Sequence, residues 1–131
     1  MRLSLELADG EVAAVVAQDN KVLVRLAAAH VSRLADGARS GQTEAGFARG
    51  VELLLIGASL GDAPGPFIGR IVDGSLHCDG QRSLRLPLPS DTTGAIRIEL
   101  TFAHQTLLVL SGTSLHCRFA GEANFTPSLA C

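Results

Sequence analysis

The sequence predicts an all-β domain, a small barrel or sandwich built from antiparallel meanders. Three observations lead to this prediction. Apolar and polar residues alternate with period two along much of the chain, short turn signals separate the alternating segments, and few segments keep a helical periodicity over a useful length. With 131 residues the chain is close to the commonest domain size, so we expect residues 1–131 to fold as a single domain around one core.

The first predicted meander opens the chain. Leucines alternate with polar residues over 2–7, which indicates a half-buried antiparallel strand. The Asp-Gly dipeptide at 9–10 is typical of a two-residue type I′ hairpin turn, because both central residues of that turn need positive φ. A second strand is expected over 12–17 and a third over 21–26, joined by a turn at 18–20.

The same arrangement returns twice, and both later units end in the tetrapeptide Ser-Leu-His-Cys. Each unit is predicted to contain three strands, with a turn that includes glycine before the last one. The predicted strands cover 51–56, 67–72 and 75–78 in one unit and 95–102, 106–110 and 114–117 in the other, with the last turns at 73–74 and 111–112. Two explanations stay open, an internal duplication and the general similarity of hydrophobic meanders.

Other segments depart from this pattern. Residues 82–89 alternate well, but Pro87 and Pro89 cannot donate ladder hydrogen bonds, so we expect an edge strand or an extended cover there. Residues 27–36 have one apolar face at helical spacing, which leaves an α+β fold with one short helix as the alternative. Residues 38–49 are rich in glycine and small polar residues and are expected to form an exposed loop.

The composition argues against several classes of partner. The chain has 11 basic and 13 acidic residues, a net charge of −2 and no run of like charge, so we expect no binding to nucleic acid. No apolar stretch approaches membrane-spanning length, and the first residues lack the unbroken apolar core of a signal peptide. We therefore expect no membrane association and a cytoplasmic location. Three cysteines without CxxC spacing agree with a reducing compartment.

The repeated His-Cys pairs suggest a metal site or thiol chemistry, but strand geometry argues against both. Neighbouring side chains on a strand point to opposite faces, so His77 and Cys78, like His116 and Cys117, cannot bind one ion together. The remaining candidate ligands show no recognisable spacing: His30, His104 and Cys131. We therefore predict no metal and no cofactor. Both repeated cysteines are expected to be buried, reduced and unligated, since the expected compartment also disfavours a disulfide between them.

A Gly-x-Ser-x-Gly sequence at 57–61 matches the nucleophile elbow of hydrolases. The elbow needs a following helix, however, and the proline and glycine residues at 62–66 prevent one. The acids and histidines that follow in the required order are Asp73, Asp91, His104 and His116. Ser59 is instead expected at a strand end beside a stiffened loop, and we predict no catalytic residue.

Two classes of function remain open. The lack of a convergent set of acids, bases and ligands favours a non-enzymatic interaction or structural protein over an enzyme. The alternative is a small-molecule binding barrel, which requires an unfilled interior lined by the alternating leucine and valine side chains.

A homodimer is the expected assembly. Residues 53–56 and 107–110 are continuous apolar runs, as expected for strands that are covered on both faces. A two-layer domain covers one face of each sheet, so a second copy related by twofold symmetry is the simplest cover for the other face. A helix or loop of the same chain packed outside would have the same effect.

Overall fold

The all-β prediction is confirmed. The computed structural model describes residues 2–34, 43–60 and 65–128, and within these ranges it contains strands and turns but no helix. Every strand pairing is antiparallel. The strands are β1 (Leu3–Glu6), β2 (Glu11–Gln18), β3 (Lys21–Leu34), β4 (Thr43–Ala48), β5 (Val51–Ile56), β6 (Gly69–Cys78), β7 (Gln81–Ser83), β8 (Arg85–Leu88), β9 (Ser90–Phe102), β10 (Leu107–Phe119) and β11 (Thr126–Pro127).

Six of these strands form a partly closed ring in the order β2-β3-β5-β10-β9-β6, with β6 returning to β2. The return contact is short, because only Glu11 and Val12 of β2 pair with Arg70 and Gly69 of β6. The inward side chains of the ring are nearly all aliphatic or aromatic and belong to one continuous core. The ring is thus a small barrel whose interior is packed by its own side chains.

Strand β3 connects the ring to a second sheet. Its first half, Lys21–Leu26, lies between β2 and β5 in the ring. Its second half leaves the ring and lies between β1 and β4, giving a side sheet in the order β11-β4-β3-β1-β8. The alternative of a helix over 27–36 is therefore wrong for residues 27–34, and residues 35–36 lie outside the described ranges. Ala29 and Val31 are completely buried in the side sheet, and pairing on both edges outweighs the helix preference of the alanine run.

The exposed loop expected over 38–49 is also wrong where the structure describes it. Residues 43–48 form β4, which lies between β3 and β11, while residues 38–42 lie outside the described ranges. Gly46 is buried in this strand, and a Cβ atom there would collide with the Phe125 ring and with the carbonyl oxygen of Thr126. The glycine therefore permits close packing of the chain end and does not mark a loop.

One of the two turns predicted in the first meander is confirmed. The turn at 18–20 joins β2 to β3 with Asp19 and Asn20 at positive φ, the type I′ geometry. The dipeptide at 9–10 makes no hairpin, because β1 and β2 do not pair with each other but follow one another along β3. Asp9 has a φ of 68°, and its N–H donates to the Ile71 carbonyl at 2.8 Å. The dipeptide thus carries the chain from the side sheet into the ring.

The turns predicted at 73–74 and 111–112 are wrong, because both positions lie within single long strands, each beside a register shift. Strands β6 and β10 each run through the predicted turn, with register shifts between Ile71 and Asp73 and between Gly112 and Ser114. A Cβ atom would collide at Gly74 with the backbone of Leu7, just after β1, and at Gly112 with the Ile56 carbonyl oxygen in β5. The two repeated units also differ in pairing. Strands β9 and β10 form a hairpin, whereas β5 and β6 do not pair.

The edge strand expected over 82–89 is confirmed, although it is divided into β7 and β8. In the described residues β8 pairs only with β1, and Pro87 lies opposite Ser4. Among the described residues its other edge lacks a strand partner, which agrees with the confinement of proline to sheet edges. The described part of the chain contains no helix with the length and hydrophobicity that a membrane crossing requires.

Candidate interaction surface

The two Ser-Leu-His-Cys segments lie on opposite edges of β9. His77 is opposite Arg97 and His116 is opposite Asp91, six positions apart along that strand. At about 3.3 Å per residue the two histidines are separated by roughly 20 Å along β9, too far to share an ion. The same offset separates Cys78 from Cys117, so these two thiols cannot form a disulfide. In the described ranges no three His, Cys, Asp or Glu side chains come together in a way that would hold a metal ion.

The two repeated cysteines are buried to different degrees. Cys117 is 1% exposed, and burial raises the pKa of its thiol to about 12. Cys78 is only half-buried, so the expectation of full burial is wrong for it. It ends β6 just before the turn at Asp79, and its Sγ lies 3.8 Å from the Thr93 carbonyl oxygen. Cys131 lies outside the described residues.

The hydrolase-like residues do not assemble into a site. Ser59 is exposed in the irregular segment that follows β5, and no helix follows it in the described chain. His104 is occupied at both ring nitrogens, with Nδ1 2.8 Å from the Thr106 hydroxyl and Nε2 2.9 Å from the Ile68 carbonyl oxygen. It stacks on Phe102 with a centroid distance of 5.3 Å. His104 therefore fastens the segment before β6 to the β9–β10 hairpin and is not free for proton transfer.

A different serine, histidine and carboxylate meet on the outer face of β6 and β9. Ser75 Oγ lies 3.4 Å from His77 Nε2, and Glu99 Oε2 lies 3.7 Å from the same nitrogen. A proton relay needs the serine and the acid on opposite ring nitrogens. The hydrogen bond from Arg97 is the main cause that holds the pKa of Glu99 below its usual value, with smaller contributions from the charges of Arg97 and His77. This cluster is an ion-pair network. The sequence did not predict it, because Glu99 is brought beside Ser75 and His77 only by the pairing of β9 with β6.

The outer face of the ring has an apolar row that crosses three strands. Val16, Leu23 and Leu54 lie directly opposite one another on β2, β3 and β5, and the row ends at the hydrogen-bonded pair of His116 and Asp91. Val16 is 45% exposed, while the two leucines are half-buried. A groove of about 370 Å³ follows this row. Apolar side chains therefore remain accessible where the predicted dimer would need them.

The adjacent row carries charge. The side chain of Glu52 lies between two arginines, with Arg25 Nε at 3.3 Å and Arg118 Nε at 3.5 Å from its carboxylate oxygens. Glu52 faces outward but is only 9% exposed, because the side chains from the two neighbouring strands cover it. A buried carboxylate needs such partners, since leaving it without them is strongly unfavourable. The two ion pairs therefore link β3, β5 and β10 across the outer face of the ring.

The two continuous apolar runs do alternate in the structure. Over 53–56, two leucines point into the core, and Leu54 and Ile56 lie half-buried on the outside. Over 107–110, the inward leucines are fully buried, whereas Leu107 is 52% and Val109 is 41% exposed. The described residues of the chain thus fill the inner face and leave the outer members of both runs partly or largely accessible.

The exposed run in β10 also has a free edge. Residues 107–112 pair with β9 on one side, and in the described residues no strand pairs with their other side, because β5 reaches only from Ser114 to Phe119. The Phe102 N–H donates to the Thr106 carbonyl at 2.8 Å and sets the alternation of bonded pairs in the hairpin. It follows that the backbone N–H and C=O groups of Leu107, Val109 and Ser111 point away from β9.

No known protein family matches the chain, and no curated protein or solved structure resembles it at a significant level.

Proposed function

We propose that this protein is a non-enzymatic interaction domain that acts in the cytoplasm as a twofold homodimer. The observation that carries the proposal is the exposure of Leu107 and Val109 beside a strand edge that has no partner among the described residues. Soluble proteins commonly protect an apolar edge of this kind with charge, proline or a covering element. Residues 107–111 contain neither a charged residue nor a proline, so a second chain is the most economical cover.

The surface available is large enough for such an assembly. The described chain has an accessible surface of 7524 Å², and a standard interface of roughly 800 Å² per partner would take about a tenth of it. Covering an exposed leucine or valine contributes on the order of 1 kcal/mol, since both are already partly buried. Leu107 and Val109 therefore support a dimer but require further contacts around them.

Two features favour an interaction protein over an enzyme. Ser75 and Glu99 approach the same nitrogen of His77, which is unsuited to a proton relay. Ser59 has no helix after it among the described residues and lies in an exposed segment. His116 pairs with Asp91 on the surface, and His104 fastens the segment before β6 to the β9–β10 hairpin, so both have structural roles.

A small-molecule site inside the barrel has weaker support. Six strands enclose less space than the eight at which side chains just fill a barrel. Inward residues such as Leu53, Leu55 and Leu110 are at most 2% exposed and form one core with their neighbours. The groove beside Leu23 and Leu54 lies outside the ring, so it is not the interior pocket that this function requires.

Light scattering after size-exclusion chromatography tests the homodimer. Over 1 to 100 μM protein, roughly the range for a moderate interface, we expect a mass about twice the 13.6 kDa of the chain. Replacing Val109 by lysine places a charge on the exposed edge and is expected to reduce the mass toward that of one chain. A constant mass near 13.6 kDa for the unmodified protein would overturn the proposal.

A further inference from the structure

We infer that the two copies join through the edge of β10 that has no strand partner in the described chain, with residues 107–111 of each chain paired antiparallel in one continuous sheet. The inference rests on the proposed homodimer and names the contact that forms it. An edge strand recognises another extended strand, because its outward N–H and C=O groups alternate along one line. The required partner is thus the backbone of another β-strand, and the same edge of β10 in a second copy of the chain provides it.

The free groups of β10 match themselves under twofold symmetry. With Val109 on the axis, it lies opposite Val109 of the second copy, and Leu107 lies opposite Ser111 of the second copy. These are the three residues whose backbone groups point away from β9. Each opposed pair exchanges two hydrogen bonds in an antiparallel ladder, so about six bonds form in total. In this register each outward N–H of Leu107, Val109 and Ser111 lies opposite a carbonyl oxygen of the second copy.

The side chains agree with this register. Leu107 and Val109 lie on the outer face, so pairing about Val109 brings the outer residues of the two chains side by side. Leu108 and Leu110 keep their places in the core, since they face inward and bond to β9. The pairing therefore covers exposed apolar surface without changing the ring.

Other edges are less suitable. Strand β8 carries Pro87, and β11 has two residues of which one is Pro127. Residues 13–18 of β2 also lack a second strand partner in the described chain, but this strand has register shifts near Val12 and is rich in alanine. The segment 107–112 is regular over its whole pairing with β9 and exposes the larger side chains.

Amide hydrogen exchange measured by NMR tests the pairing directly. We expect the amides of Leu107, Val109 and Ser111 to exchange at least about tenfold more slowly at 1 mM protein than after dilution to roughly 1 μM. The amides of Leu108 and Leu110 are the internal control, because they bond to β9 in either state. Their exchange is expected to change much less.

A backbone variant gives a second measurement. Val109→Pro removes one outward N–H and no bond to β9, so it is expected to yield folded protein with the mass of a single chain. Val109→Thr keeps the N–H and a β-branched side chain and is expected to remain a dimer. A dimer whose outward amides exchange at the same rate at both concentrations would overturn the β10 pairing and leave the homodimer standing. A single-chain mass for the unmodified protein at every concentration would overturn both.

Discussion

The two Ser-Leu-His-Cys segments have identical residues and the same partner strand, yet their side chains have different surroundings. The copy in β10 lies between β5 and β9, so Cys117 is covered from both sides. The copy in β6 ends at a turn and has only the three-residue β7 on its outer edge, which leaves Cys78 half-buried. The local pattern therefore determines which face a residue occupies, while the neighbouring strands determine how deeply it is buried.

Thiol labelling is expected to show the largest difference between the two copies. With a pKa of about 12, the Cys117 thiol is ionised to only ~10⁻⁴ at pH 8, and its side chain is 1% exposed. We expect Cys78 to react with iodoacetamide at least about 100-fold faster in native protein, measured by mass spectrometry of the two peptides. In denaturant the two rates should become similar. Equal rates in the native state would contradict the difference in burial.

Truncation of the inward leucines is expected to affect both copies alike. Leu76 and Leu115 are 4% and 1% exposed, so replacing either by alanine should lower the free energy of unfolding by about 2 to 5 kcal/mol. Leu84 is 48% exposed, and Leu84→Ala is the matched control with an expected change within about 0.5 kcal/mol. Urea denaturation measures all three. A small loss at only one of the inward leucines would show that the copies differ in their inward packing as well.

The smallest expected difference concerns acid stability. Arg97 holds the pKa of Glu99 below its usual value of 4.5, so the folded protein binds this proton more weakly than the unfolded chain does. The resulting stabilisation is complete above the usual value and is lost as the pH falls through the lowered one. Glu99→Gln should therefore flatten the decline in stability below about pH 5, as measured by urea unfolding at several pH values.

Arg97→Gln provides the matched comparison for that experiment. It removes the hydrogen bond that contributes most to the lowered pKa of Glu99, so it should flatten the same part of the profile. The double variant should add little to either single change, because the two side chains act as a pair. Profiles of Glu99→Gln and the unmodified protein that run parallel from pH 7 to about pH 3 would rule out this contribution.

Much of the secondary structure was predictable because the relevant signals are local. Alternation over 2–7 correctly indicated a half-buried strand, with Leu3, Leu5 and Leu7 on the buried face, and the turn at 18–20 formed as its residues indicate. The prolines at 87 and 89 correctly marked an edge strand. In each case the signal comes from residues adjacent in the sequence, so it does not depend on which other strands lie beside the segment.

The errors occurred where a glycine-containing signal has two explanations. Gly74 and Gly112 indicated turns, but each lies within a long strand, beyond or beside a register shift, where the backbone of Leu7 or of Ile56 approaches too closely for a Cβ atom. Gly46 suggested a loop and instead accommodates the Phe125 ring against β4. A glycine is compatible with a turn and with a close approach alike, and only the position of distant chain segments distinguishes the two.

The sequence by itself determined that the chain is all-β, which residues face the core in the segments that alternate clearly, and where several strands end. The tertiary structure alone decided that β3 is shared by two sheets, that β1 and β2 follow one another along it, and that Glu99 meets Ser75 and His77. It also decided that the edge of β10 over 107–112 stays without a strand partner in the described chain. The physical reason is that every strand carries the same backbone donors and acceptors. Alternation therefore specifies a face, while the neighbour depends on packing between residues far apart in the chain.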